Sequence, residues 1–162
     1  VSALNDTLAE NNESNMFCTA FLGILDLKTG QMQYCNAGHN APVVMDEDGS
    51  ATFMEVVPNL PLGLFGGFPY EGQECEVNRG SKLFLYTDGV TEAESVDKVL
   101  YSDERLLELL ANCRNEHVDE VVEKVLEDIA SHSAGAEQSD DITVMCINYK
   151  QMNDGKEIAS TE

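Results

Sequence analysis

Short apolar segments separated by turn residues fill the first half of the chain and predict β-strands. An apolar run over residues 16–27 is followed by a turn at 28–30 and then by an alternation of polar and apolar residues over 31–37, which predicts a β-hairpin. Turns at 38–40 and 46–49 connect two more strands, and we predict that these continue the hairpin as an antiparallel meander. The further predicted strands are residues 41–45, 52–57, 70–78 and 83–87.

Apolar residues at helical spacing predict three helices. Leu4 and Leu8 indicate the last turns of a helix that begins upstream. Two more helices are predicted around the leucines at 106–110 and along the valine-rich stretch 118–129. A final strand at 142–149 has to rejoin a sheet, and this order of elements predicts an α+β fold of layered antiparallel sheets rather than a doubly wound parallel sheet.

Length and composition indicate one domain over residues 1–150 and a polar tail over 151–162. The chain has 162 residues, of which 43% are hydrophobic, so it can bury a core without disulfides or a structural metal. No signal peptide pattern and no run of about 18 apolar residues occurs, so we expect no membrane insertion. Because the sequence begins at Val1 rather than Met, we interpret it as a fragment of a longer protein.

The charge of the chain is strongly negative, with 30 acidic and 9 basic residues and a formal net charge of -21. This charge repels phosphate backbones and argues against a nucleic acid partner. It favours cations instead, either basic patches on a partner protein or hard metal ions. Solvated acidic loops explain the excess equally well, as does a solvated helix face over residues 119–128.

The five cysteines are widely spaced and are predicted to be buried free thiols. Without a Cys-x-x-Cys pair or clustered histidines, a zinc site has little support, and a reducing cytoplasm fits better than secretion. The methionines at 32, 45, 54 and 145 are likewise predicted to fill the core. The cysteines are Cys18, Cys35, Cys75, Cys113 and Cys146.

Two groups of carboxylates stand out. Asp88 and Gly89 directly follow the strand at 83–87, where Gly89 permits a positive φ and leaves room beside the carboxylate. If the last strand pairs with 83–87, Asp88 comes to the same end of the sheet as Asp140 and Asp141. Clustered carboxylates repel unless a cation lies between them, and oxygen ligands alone favour Mg²⁺ or Mn²⁺. The same residues also suit ordinary turns and caps, so both interpretations stay open.

The chain resembles the SpoIIE-like branch of the PPM metal-dependent protein serine/threonine phosphatases. The resemblance extends over most of the sequence and rests on several motifs that occur in the family's order. These motifs are residues 16–21 with 23–26, Asn-Ala-Gly-His-Asn-Ala-Pro at 36–42, Leu-Pro-Leu-Gly at 60–63, Leu-Tyr-Thr-Asp-Gly-Val-Thr-Glu-Ala at 85–93, and Ser-Asp-Asp-Ile-Thr at 139–143.

The resemblance implies an α-β-β-α sandwich with a dinuclear Mg²⁺ or Mn²⁺ centre between its two sheets. It implies that Asp88 and Asp140 are the catalytic metal ligands, with Gly89 providing clearance and Asp141 acting as a ligand or as a neighbour of the ligands. The expected reaction is hydrolysis of phosphoserine or phosphothreonine by a metal-activated water, without a phospho-enzyme. By the same analogy, the substrate is a small phosphorylated anti-anti-sigma protein.

One departure from the family lies at the amino end. Family members carry an Asp and a bridging Asp-Gly pair on a strand ahead of residue 16, and the Asp-Gly pairs at 48–49 and 154–155 cannot replace it. We therefore expect weak metal binding and poor turnover from this chain alone. The alternative is a non-catalytic regulatory domain that docks a basic partner. An unpaired sheet edge at the cut would also favour a homodimer or leave an aggregation-prone edge.

Three further residues and one loop have both a structural and a functional interpretation. His39 lies in a turn, and we favour turn architecture over a role as general acid. His117 and His132 flank the second long helix and are predicted to be surface or capping residues. The apolar loop at 61–68 either docks a protein substrate or covers one edge of the sheet, and the sequence does not decide between these roles.

Overall fold

The computed structural model describes residues 1–10 and 12–150, which form seven strands and three helices. Both predicted helices of the second half are present, and the predicted short helix at the start is present as well. The elements are α1 (Ser2–Ala9), β1 (Ala20–Leu25), β2 (Gln31–Ala37), β3 (Val43–Met45), β4 (Ala51–Phe53), β5 (Gln73–Glu76), β6 (Lys82–Tyr86), α2 (Asp103–Ala111), α3 (Val118–His132) and β7 (Val144–Asn148).

The strands form two antiparallel sheets, one of three strands in the order β1-β2-β5 and one of four in the order β4-β3-β6-β7. The predicted hairpin is confirmed, because β1 pairs with β2 from Ala20 opposite Ala37 to Leu25 opposite Met32. The carboxylate of Asp26 accepts hydrogen bonds from two backbone amides of the connecting turn, which fixes its shape. Strand β1 pairs with no described strand on its other side, so the predicted free edge is present.

The predicted continuous meander is wrong, because β2 and β3 belong to different sheets. The chain crosses between the sheets at Gly38-His39-Asn40, where Gly38 has a φ of 74°. The side-chain amide of Asn36 donates to the carbonyl of His39 and accepts from its backbone amide, at 2.7 Å in both cases. A turn that is closed by a side chain in this way does not require its flanking strands to pair, which is why a tight turn here is not a hairpin.

Two cores hold the layers together. The first lies between the sheets and includes Met32 and Tyr34 of the three-stranded sheet and Leu83 of the four-stranded sheet. The second lies between the four-stranded sheet and helices α2 and α3. Residue Val1, which precedes α1, lines a cavity with Ile24 on the outer side of the three-stranded sheet. The predicted α+β fold of two packed antiparallel sheets is therefore confirmed, and helices α2 and α3 cover the four-stranded sheet.

Helix α3 is amphipathic and presents one apolar stripe to the second core. Val121, Val125 and Ile129 are at most 2% exposed. The helix begins after His117, whose backbone amide donates to the carboxylate of Glu120 at 2.8 Å, so the predicted capping position is confirmed. The burial of this stripe, rather than helix propensity alone, stabilises the helix on the sheet.

Asp128 is an exception to the predicted solvated acidic face of α3. Its carboxylate accepts hydrogen bonds from Nε and Nη2 of Arg105 at 2.8 Å each and from the hydroxyl of Tyr101 at 2.7 Å. The Arg105 guanidinium holds the pKa of Asp128 below its ordinary value. His132 packs edge-to-face on Tyr101 rather than capping the helix. These contacts tie α2 and the segment before it to the end of α3.

We expect Asp128→Asn to lower the free energy of unfolding by about 1 kcal/mol at pH 7, because a partly exposed charged pair is lost. Since the folded-state pKa of Asp128 lies below the unfolded value near 3.8, its contribution is present above that pH and disappears as the pH falls through the folded-state pKa. Urea unfolding from pH 7 to pH 3 should show wild type and variant converging in acid. A constant difference over this range would contradict the ion pair as its cause.

Two of the residues that were predicted to be buried are exposed. Cys18 lies outside the core next to β1, and Met145 on the edge strand β7 is 50% exposed. Side chains alternate along β7, so Val144 and Cys146 pack against the helical core while Met145 lies on the other face. All five cysteines are free thiols, as predicted; Cys35 and Cys113 are buried, and Cys75 and Cys146 are half-buried.

We expect Cys18 to react first with a disulfide reagent such as DTNB at pH 8, because it is the exposed thiol. Burial raises the pKa of Cys146 to about 11 and raises the pKa of Cys113, which keeps both as unreactive thiols. Stopped-flow absorbance should show a fast phase that Cys18→Ser removes. A fast phase that survives this substitution would show that a core thiol opens readily.

Candidate metal and phosphate site

The candidate site lies at the paired ends of β6 and β7. Strand β6 is buried at Phe84 and ends at the buried Tyr86, and the chain reaches solvent shortly afterwards at Asp88. The last strand pairs antiparallel with β6, with Val144 opposite Tyr86, so the condition for bringing the two carboxylate groups to one end of the sheet is met. This pairing brings the start of β7 to the end of β6, so the segment with Asp140 lies beside Asp88.

Thr87 connects the two strand ends. Its backbone amide donates to the carbonyl of Thr143 at 3.0 Å, and its hydroxyl oxygen accepts from the amide of Thr143 at 3.0 Å. The hydroxyl also donates to the carbonyl of Asp141 at 3.0 Å. Thr87 was not among the residues predicted for the site. The signal was available, since a hydroxyl side chain next to a carboxylate at a strand end is a common local hydrogen-bonding group.

Gly89 packs directly against the backbone of the neighbouring segment. A Cβ atom at this position would lie 2.5 Å from the carbonyl oxygen of Asp141 and 3.4 Å from the carbonyl carbon of Asp140. Its φ is not among the positive values found at other glycines, so the suggested positive φ is wrong. The space beside Gly89 is occupied by the Asp140-Asp141 backbone, so the predicted room for a ligand or ion is not found at this position.

The three carboxylates are exposed and only lightly engaged. Asp88 accepts a hydrogen bond from the amide of Gly89 at 3.1 Å, and Asp140 accepts one from the amide of Asp141 at 2.7 Å. The fold thus brings together all four residues predicted for the site, namely Asp88, Gly89, Asp140 and Asp141. Their roles in binding and catalysis stay predictions.

A complete metal site is not formed by the described part of the chain. Within residues 1–10 and 12–150, no group of three or more His, Cys, Asp or Glu side chains is arranged to hold a metal ion. The donor chemistry at Asp88 and Asp140 suits a hard cation, but the number of converging ligands does not. The described residues therefore provide at most one side of a metal centre.

The structure places the other sequence candidates in supporting roles. His39 is held through its backbone by Asn36, in agreement with turn architecture, although its Nδ1 atom is buried and has no hydrogen-bond partner among the described residues. In the loop 61–68, Leu62 forms a two-way backbone bridge with Cys18. Asn5 of α1 holds the same loop by accepting from the amide of Gly63 at 3.0 Å. This loop covers the end of the three-stranded sheet, while Phe65 is 64% exposed.

The chain matches one family model and parts of longer curated proteins. Residues 1–150 match the family model described as Stage II sporulation protein E. Protein IcfG of Synechocystis is 30% identical over 149 residues, which are 91% of this chain and 23% of that protein. Phosphoserine phosphatase RsbP of Bacillus subtilis is 23% identical over 147 residues, which are 91% of this chain and 34% of that protein. The chain thus spans about a third or less of the length of these curated relatives.

Solved structures share the fold. The RsbU and RsbW domains of Rv1364c from Mycobacterium tuberculosis match with a TM-score of 0.75 and 25% identity, over 90% of this chain and 40% of that chain. The phosphatase domain of SpoIIE from Bacillus subtilis matches with a TM-score of 0.69 and 18% identity, over 95% of this chain and 66% of that chain. In the described part of this chain, no helix has the length and apolar character needed to span a membrane.

Proposed function

We propose that this chain, which belongs to the SpoIIE family, is part of a metal-dependent phosphatase. Its substrate is phosphoserine or phosphothreonine of a regulatory protein. The observation that carries this proposal is that the backbone of Asp140 and Asp141 lies against Gly89, the residue after Asp88, at the paired ends of β6 and β7. Exposed carboxylates on two adjacent segments offer the oxygen ligands that a hard cation prefers. Relatives that are named phosphoserine phosphatases support the reaction class.

The ion of this proposal is Mg²⁺ or Mn²⁺, held by Asp88 and Asp140 together with ligands from the rest of the parent protein. Such an ion supplies Lewis-acid chemistry to a phosphate ester. The residues of this chain position the carboxylates: Thr87 joins the two strand ends, and Gly89 allows their backbones to touch. Asp141 shares the segment of Asp140 and would ligate the ion or orient its ligands. A centre of two ions is proposed from the family resemblance alone.

For the substrate, we propose a small phosphorylated protein of the anti-anti-sigma type in the cytoplasm. The support is by analogy, because RsbP and RsbU are named phosphoserine phosphatases and one structural relative contains RsbU and RsbW domains. The net charge of -21 disfavours nucleic acid as a partner. A homodimer through the free edge of β1 is compatible with this proposal.

A second candidate function is a non-catalytic docking domain that binds a basic partner. The observation in its favour is the lack of a complete metal group within residues 1–10 and 12–150. Under this alternative, the acidic surface binds the partner and the carboxylates at β6 and β7 have no catalytic role.

Phosphate release by the full-length parent protein tests the leading proposal. With a phosphoserine protein as substrate, we expect activity with Mn²⁺ and none after removal of the metal by EDTA, restored by adding Mn²⁺ back. Calorimetric titration of this chain with Mn²⁺ is the companion measurement, and weak binding is expected. A full-length protein that stays inactive at saturating Mn²⁺ would favour the docking function.

A further inference from the structure

An apolar groove lies directly beside the candidate site. It has a volume of about 300 Å³ and is bounded by the chain after β6, by the C-terminal half of α3 and by the segment that leads to β7. Gly89 and Ser139 form part of its wall, so the groove adjoins the segments that carry Asp88 and Asp140. Its apolar lining consists of Ala93, Leu126, Ile129, Ala130, Ala136 and Ile142.

Leu126 and Ala130 on α3 are not required by the core. The core stripe of α3 is complete without them, because Val121, Val125 and Ile129 are buried. Leu126 is 41% exposed, and Ala130 follows it by one helical turn on the same face. These two residues form a second apolar stripe that lines the groove instead of the interior.

The segment 94–100 extends the apolar surface at the rim of the groove. Val96 is 61% exposed, and its Cγ1 atom would lie 3.4 Å from a Cβ atom on Gly135. A hydrogen bond of 2.9 Å joins Nε2 of His132 to the carbonyl of Val99, which fastens this segment to the end of α3. Glu94 is the residue of this segment that lines the groove, and the contacts of Val96 and Val99 hold the segment close to the end of α3.

The rim of the groove is acidic. Glu94 and Glu137 line it, and Asp88 and Asp140 are exposed next to it. Lys98 forms an ion pair with Glu94 at 2.6 Å, so the negative charge of the rim comes from Glu137, Asp88 and Asp140. In a chain with a net charge of -21, a segment that enters this groove is favoured if it carries basic residues.

We propose that the groove binds an apolar side chain of the phosphoprotein substrate, from a segment that also carries Lys or Arg and lies close in sequence to the phosphorylated residue. The volume suits one or two aliphatic side chains, and the acidic rim suits their basic neighbours. This inference rests on the proposed function, since that function places the phosphoryl group at Asp88 and Asp140. Leu126 and Ala130 are then specificity-determining residues.

Peptide binding to this chain tests the proposal without any turnover. The probes are phosphoserine peptides in a Lys and Ala background, in which a single Leu is moved along the set, with an all-Ala peptide as reference. By fluorescence anisotropy at about 0.15 M salt, we expect the best Leu peptide to bind about tenfold more tightly than the reference, because an aliphatic side chain is buried. Two variants should abolish this preference. Leu126→Gln replaces an apolar side chain of the groove lining with a polar one, and Ala130→Leu fills the groove with a larger side chain.

The matched control is Leu4→Gln, because Leu4 is a helical leucine of similar exposure, 46%, on α1. This variant should keep the tenfold preference. Equal binding of Leu and all-Ala peptides, or a preference that survives both groove variants, would overturn the proposal. Self-association that Leu126→Gln abolishes would assign the groove to a second copy and overturn it as well. Normal peptide preference in a parent protein without phosphatase activity would instead reject the proposed function and leave the groove as a peptide site.

Discussion

Asp88→Asn in the full-length parent protein is expected to lower kcat/KM toward a phosphoserine protein by at least about a hundredfold, because a neutral amide replaces a carboxylate that holds a hard cation. The fold should survive, since Asp88 is exposed and its described side-chain bond is to the adjacent amide of Gly89. Phosphate release with saturating Mn²⁺ gives the rate, and circular dichroism checks the fold. Asp140→Asn should lower kcat/KM by a similar factor, since the two residues are proposed to bind the same metal centre.

Asp119→Asn is the control for general charge effects. Asp119 is an exposed carboxylate in the first turn of α3, with a side chain that is 84% exposed. This variant changes the net charge by the same amount as Asp88→Asn and should retain the wild-type rate. Equal rates for wild type and Asp88→Asn would reject a catalytic role for this carboxylate and favour the docking domain.

Gly89→Ala is expected to destabilise the chain by about 1–3 kcal/mol and to weaken Mn²⁺ binding by about tenfold. The added methyl group would lie 2.5 Å from the carbonyl oxygen of Asp141, so the two segments have to move apart. This movement separates Asp88 from Asp140 and Asp141, which reduces their joint attraction for a cation. Urea unfolding gives the free energy, and calorimetric titration gives the affinity.

Gly66→Ala is the matched control for the glycine substitution. The nearest atom to an added Cβ on Gly66 is 4.0 Å away, and its φ is not positive, so alanine fits without strain. The free energy of unfolding of this variant should equal that of wild type or exceed it slightly. Wild-type stability and Mn²⁺ affinity in Gly89→Ala would show that the backbone contact does not hold the carboxylates together.

Local patterns predicted most of the elements correctly. The alternation over β2, the apolar stripe of α3 and the glycine-containing turn before β2 each reflect interactions within a few residues, and each has the predicted structure. The errors fall where contacts between distant segments decide. Met145 lies at an apolar position of a strand, yet it is exposed because the strand is at the edge of its sheet and the other sheet does not cover that face.

The residues of the turns do not predict which strands are neighbours in a sheet. Residues 38–40 have the composition of a hairpin turn, but Asn36 closes the turn with its side chain, and β3 pairs with β4 and β6 instead of β2. Strand pairing depends on which apolar faces can be buried together, and this is a property of the whole domain. A periodic pattern predicts which face of a strand is apolar, but it does not predict the sheet against which that face packs.

The sequence alone predicts which residue types form the site. Asp88 and Asp140 each lie next to the end of an apolar strand, and a carboxylate side chain offers oxygen ligands in any fold. Their segments become neighbours because β6 and β7 pair across more than fifty residues of sequence, and Gly89 is needed because the two backbones touch there. The apolar groove beside them is formed by three segments that no local pattern connects. The sequence by itself determines which side chains are available for the site. The tertiary structure determines the distances between them, because those distances depend on how the sheet and helix faces are buried against one another.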